Sequence, residues 1–158
     1  MSDERKFLVV ADGSDESRTA AYFAARRARN TGGLVILLAV VQTEGGFEHW
    51  LGVGEAMRAE ARDGAEEALN SLAEDVEGVT GARPQLVLKE GELIACLRKL
   101  VEEDTSIAIL VAGASAEPGD AGPLIQALAR GRGLFEKRQI PVTVVPGGLS
   151  REDIKALS

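Results

Sequence analysis

Short apolar runs alternate along this chain with longer stretches whose apolar residues return every three or four positions, and that alternation limits the folds open to it. The runs lie at residues 7–11, 34–41, 85–89, 107–113 and 141–146. Runs that are apolar at consecutive positions belong to strands covered on both faces, as in parallel sheets. Between them, residues 14–30, 55–77, 91–104 and 123–137 carry the helical period. Ala20, Phe23, Ala24 and Ala28 mark the first stretch; Met57, Ala61, Ala65, Leu69, Leu72 and Val76 the second. Leu93, Ile94, Leu97, Leu100 and Val101 mark the third, and Leu124, Leu128 and Phe135 the fourth, where Gly131 and Gly133 each weaken the helix by up to about 1 kcal/mol. Right-handed crossovers then give an α/β fold: one open five-stranded parallel sheet with helices on both faces, Rossmann-like.

The 158 residues, with no internal repeat, predict a single domain over 1–158, with its core at 5–147 and a tail at 148–158 in which residues 150–157 form a short capped helix. Only 4% of the chain is aromatic against 45% hydrophobic, so the core is packed from Val, Leu, Ile and Ala. A net charge of −7 argues against nucleic acid and anionic membrane surfaces as partners, because both select basic patches. Residues 7–11 are too short for the apolar region of a leader, and no run approaches a membrane span, so a cytoplasmic protein is expected. Cys96 shares a helical face with Leu93, Leu97 and Leu100 and is predicted to be a core residue. One His and one Cys, far apart in sequence, support neither a metal cluster nor a Ser-His-Asp arrangement. No catalytic residue is assigned.

Ligands of open α/β sheets sit at the carboxyl ends of strands, where the strand order reverses. That rule selects Asp12, Gly13 and Ser14 after the first run, Val41 at the end of the second, and Gly113, Ala114 and Ser115 after the fourth. Each has a plainer reading. Asp12 either meets a ligand or makes an ordinary turn, Ser14 caps the following helix, and Ser17 shares that ambiguity. Arg130 and Arg132 either reach an anion or face solvent. In the glycine-rich stretch 43–54, Phe47 and Trp50 are expected to pack against the domain or a partner subunit, with His49 solvated. The acidic face of 55–77 is read as a solvated surface.

Leu8-Val9-Val10-Ala11-Asp12-Gly13-Ser14 with Ser17, the run 34–41, Gly91-Glu92 opening a helix, Ile109-Leu110-Val111-Ala112-Gly113, and Ile140-Pro141-Val142-Thr143-Val144-Val145-Pro146 together resemble the universal stress protein family, in order and spacing, over nearly the whole chain. The resemblance implies strand order 3-2-1-4-5, the fold of the adenine nucleotide alpha hydrolases, with strands 1 and 4 flanking one crevice. It also implies a homodimer in which the fifth strand, Val142, Thr143, Val144 and Val145, pairs with its copy. An apolar edge without charge invites such pairing.

Family members that bind ATP carry Gly-x-x-Gly after strand 4 and, further on, Gly-Ser or Gly-Thr at a helix start. Here Gly113 matches the first glycine, Ala116 stands at the second, and Leu128-Ala129 fall at the Gly-Ser position. Gly119 and Gly122 form a displaced pair, and Glu117 and Asp120 add negative charge. Hydrogen bonds to a charged group contribute roughly 1.5–3 kcal/mol each, so losing two weakens binding by about a hundredfold or more. The expected function is a non-enzymatic, dimeric stress-response or regulatory binding protein, acting through a protein partner or a small ligand. The alternative is a member that binds ATP or another adenine nucleotide between strands 1 and 4, with slow hydrolysis. A third reading, an ATP pyrophosphatase of the PP-loop type, rests on Asp12-Gly13-Ser14-Asp15-Glu16-Ser17 and lacks the glycine pair.

Overall fold

Strand β1, Lys6–Val10, lies in the middle of the sheet, and its neighbours on both sides run parallel to it. A computed structural model describes residues 4–42, 54–116, 123–129 and 135–158. In chain order the remaining elements are α1 (Asp15–Thr31), β2 (Leu34–Gln42), α2 (Glu55–Thr80), β3 (Gln85–Gly91), α3 (Leu93–Glu103), β4 (Ile107–Ala114), α4 (Pro123–Ala129), β5 (Val142–Pro146) and α5 (Arg151–Leu157). The sheet order is β3-β2-β1-β4-β5, all pairs parallel, as the resemblance implies.

Successive strand residues face opposite layers. Val9, Ala11, Val35, Leu37, Ala39 and Val111 pack against α1 and α2, whereas Leu8, Val10, Ile36, Leu38 and Leu110 pack against α3 and α4. Alanines at 20, 21, 24, 25 and 28 let α1 lie close to the sheet. Helix α1 begins at its N-cap Ser14 and ends where Gly32 turns left-handed at φ 75. The last helix, α5, has a capping box between Ser150 and Asp153, and Ile154 buries it against the body.

The amino-terminal ends of β1 and β4 are tied together. Lys6 Nζ donates to Asp104 Oδ2 at 2.7 Å, and Asp104 Oδ1 also accepts from the Ser106 N–H and hydroxyl. The Arg138 guanidinium donates to the carbonyls of Val101, Thr105 and Ile107 at 3.0, 2.9 and 2.6 Å, closing the end of α3 onto the start of β4. Partial burial pushes the Asp104 carboxyl up, but hydrogen bonds from Lys6 and Ser106 outweigh it and hold the group below the usual carboxylate value.

Several expectations change. The helix expected over 123–137 ends at Ala129, and residues 135–141 are irregular, with Phe135 buried under the α3 layer rather than on a helix face. Residues 130–134, including Arg130, Gly131, Arg132 and Gly133, lie outside the described residues. Helix α2 runs on to Thr80 instead of stopping at 77, because Val79 packs on the core and the first left-handed glycine is Gly81, φ 79. Met57 does not join the core stripe: it is 63% exposed, since the first turns of α2 bury nothing. Cys96 is half-buried rather than core. Its Sγ lies 3.9 Å from the Glu90 carbonyl, and burial together with the nearby Glu92 carboxylate raises its thiol pKa. Helix α3 starts at Leu93, with Glu92 as cap, because Gly91 still belongs to β3.

Candidate functional site

Three strands carry the predicted site residues to the same end of the sheet. After β1, Gly13 takes a left-handed φ of 81, and Asp12 folds back on the turn. Its Oδ1 accepts from the Ser14 N–H at 2.9 Å and the Ser14 hydroxyl at 2.5 Å. Ser14 Oγ in turn accepts from the Ser17 N–H at 3.1 Å, while the Ser17 hydroxyl donates to the Ser14 carbonyl at 2.8 Å. Ser14 thus caps α1, and Ser17 bonds within the same first turn. Asp12 makes the turn through one oxygen only, and Oδ2 has no partner among the described residues.

Two spaces open here, and they differ by an order of magnitude. The larger is a cleft of ≈ 380 Å³ between the carboxyl ends of β1 and β2 and the first half of α2. Ala11, Asp12 and Gly13 form one wall, residues 39–42 the floor, and Ala61, Gly64, Ala65 and Ala68 the roof. The volume lies within the range of small-molecule pockets, roughly 300–1,000 Å³. It exceeds the hollow of ≈ 190 Å³ at the opposite end of the sheet and that of ≈ 210 Å³ between α1 and α5.

The smaller space is the crevice between β1 and β4. Asp12, Ser14, Glu16, Ser17, Gly113 and Leu124 are among its walls, and it holds ≈ 30 Å³, about the share of one water molecule. Its narrowness has a direct cause. A Cβ on Gly113 would lie 2.1 Å from the Glu16 carbonyl oxygen, so β4 and the first turn of α1 already touch backbone to backbone. Gly147 packs as tightly beside it: its N–H donates to the Ala114 carbonyl at 2.7 Å, and a Cβ there would lie 3.2 Å from the Glu16 Cβ.

The structure thus brings Asp12, Gly13 and Val41 together on the cleft and places Ser14 and Gly113 with Asp12 on the crevice. Ala114 and Ser115 line neither space. Leu128 and Ala129 are the last residues of α4, so their backbone N–H groups lie within a helix and not at its start. Residues 43–53, with Phe47, His49 and Trp50, lie outside the described residues, as do 117–122, which include Glu117, Gly119, Asp120 and Gly122. The roof from α2 escaped the sequence reading, which placed Ala61 and Ala65 on one stripe with Leu69, Leu72 and Val76; Ala65 does rest half-buried on the core, and both also line the cleft. The signal was there in the spacing of small residues at 61, 64, 65 and 68, one face of a helix with nothing large enough to fill the space beneath it.

Chemically, the cleft's lining side chains are apolar apart from Asp12 and Gln42, and among the described residues no Lys or Arg lines either space. Among the described residues no group of three His, Cys, Asp or Glu side chains could hold a metal ion, and no helix is long and apolar enough to cross a membrane.

The profile of the universal stress protein family matches residues 4–146. No curated protein matches the chain. Among solved structures it is similar to the universal stress protein UspA from Lactobacillus plantarum, 15% identical with a TM-score of 0.64, covering 92% of this chain and 99% of that one. It is also similar to the universal stress protein from Archaeoglobus fulgidus in complex with dAMP, at 20% identity, TM-score 0.59, and 89% and 96% coverage of this chain and that one. A universal stress family protein from Arabidopsis thaliana with AMP bound is 14% identical, TM-score 0.55, with 90% and 91% of the two chains covered.

Proposed function

The chain belongs to the universal stress protein family, and from that premise we propose that it is a non-enzymatic binding protein whose cleft takes an adenine nucleoside or its monophosphate in preference to ATP. The observation that carries this reading is the division of space. The nucleoside-sized cleft of ≈ 380 Å³ is open, while the crevice beside Gly113 has room for about one water. A planar base fits between Ala39, Val41 and the small residues of α2, and a ribose hydroxyl can donate to the unpartnered oxygen of Asp12. A triphosphate would meet Asp12 and Glu16, and no Lys or Arg among the described residues lines the crevice to offset them. Two similar structures, one with dAMP and one with AMP, agree in ligand class.

The same reading places the protein in the cytoplasm as a homodimer paired through β5, acting on a protein partner according to ligand occupancy. Isothermal titration tests the ligand. AMP or adenosine is expected to bind at least about tenfold more tightly than ATP with Mg²⁺, a difference of about 1.4 kcal/mol. ATP binding more tightly than AMP would overturn the proposal and restore the ATP-binding alternative.

A further inference from the structure

The roof of the cleft is buried deeply at one end only. From Glu55 to Ala68 no residue of α2 is buried, and its buried residues are Leu69, Leu72, Ala73 and Val76. The first half of the helix therefore overhangs the cleft while the second half is packed into the core. Gly64 stands within the overhanging half, five residues before Leu69, the first buried residue. Nothing lies within 4 Å of the place its Cβ would occupy, so close packing does not require a glycine there. What a glycine does bring is backbone freedom inside a helix.

Among the described residues, Ala65 rests half-buried on the core, and one polar side-chain contact ties the turns before it to the sheet. Arg62 Nε donates to Glu90 Oε1 at 2.5 Å. Glu90 lies in register with Val41, a residue of the cleft floor, on the side of β2 away from β1. The bridge consequently spans the flank of the cleft from roof to floor. Both partners are partly exposed, so the contact is a weak one that can break without cost to the core.

We propose that Arg62 and Glu90 form a latch that holds the first half of α2 over the cleft, with Gly64 as its hinge, and that release of the latch admits and discharges the ligand. This rests on the cleft being the ligand site, as inferred above. The two residues are positioning residues: neither lines the cleft, and they act through the roof they hold.

Hydrogen exchange on the ligand-free protein tests the latch without relying on any ligand. In Arg62→Ala and in Glu90→Ala, exchange across residues 59–64 is expected to rise by up to about fivefold, the range of an exposed ion pair, while residues 69–76 keep their protection. The charge-swapped double variant Arg62→Glu, Glu90→Arg should return toward the original rates. Unchanged exchange in both single variants, or a uniform rise along the whole helix, would overturn the latch. A second arm measures AMP kinetics, where Arg62→Ala should speed association and dissociation together and leave Kd less changed than either rate. Binding with unaltered rates would remove the gating role even if exchange rises. If AMP binds no variant, the ligand reading falls, and the exchange pattern still decides the latch.

Discussion

Gly113 shows how one residue can be legible in sequence for one reason and required in structure for another. The sequence marks it as the first glycine of a phosphate loop, yet its place in the fold is set by contact with the Glu16 carbonyl. Gly113→Ala is expected to destabilise the protein by about 1–3 kcal/mol, the usual cost of overpacking. Urea denaturation would measure it, and an unchanged midpoint would show that α1 can move away. Asp104 allows a second test. Its carboxyl is held below the ordinary value of 3.8, so its contribution to stability is complete above that value and is lost as pH falls through the lower native pKa. Asp104→Asn should therefore cost about 1 kcal/mol near pH 7. The difference from the original protein should shrink toward acid pH, as denaturation series at several pH values would report. The turn Asp12-Gly13-Ser14 was legible because capping chemistry is local. The unpartnered oxygen of Asp12 was not, since it depends on what three separate strands bring near.

At the scale of elements, all five strands and the first three helices stand where periodicity puts them, with ends displaced by a few residues. The errors share a cause: periodicity tells which face of a helix is apolar but not how far the sheet extends beneath it. Helix α2 begins beyond the end of β2 at Gln42, so Met57 finds no strand to cover it, and Ala61 and Ala65 roof a cleft, Ala65 also resting half-buried on the core. The irregular chain at Phe135 is a different failure. There a buried aromatic suggested a helical face, whereas an irregular segment delivers the same side chain to the same layer. The roof itself can be tested as an element. Ala65→Leu adds volume on the cleft side of α2 and should weaken AMP binding at least about tenfold. The thermal midpoint should stay within a few degrees, because the site is only half-buried. Undiminished binding would mean that the ligand does not lie under α2.

For the whole molecule, strand order was legible only through the resemblance. Alternation yields a parallel sheet, but nothing in the runs themselves says which strand sits at the centre. The order found leaves β3 and β5 as edges. They differ in character: β3 ends in Lys89 and Glu90, while β5 shows an exposed Val144, 44% accessible, in an uncharged run. Sedimentation at micromolar concentration should find a dimer, and Val144→Lys should shift it to monomer while leaving the thermal unfolding of the subunit little changed. A monomer before substitution would rule out pairing through β5.

The ties from Arg138 and from Lys6 to Asp104 all lie at the amino-terminal ends of the strands, away from the cleft. The sheet is thus stitched along one margin, and the opposite margin carries a glycine turn, the cleft and the unburied half of a helix. Such a division separates inheritance from invention: substitutions at the open margin can re-aim the molecule toward another ligand while the stitched margin keeps the chain folding as before.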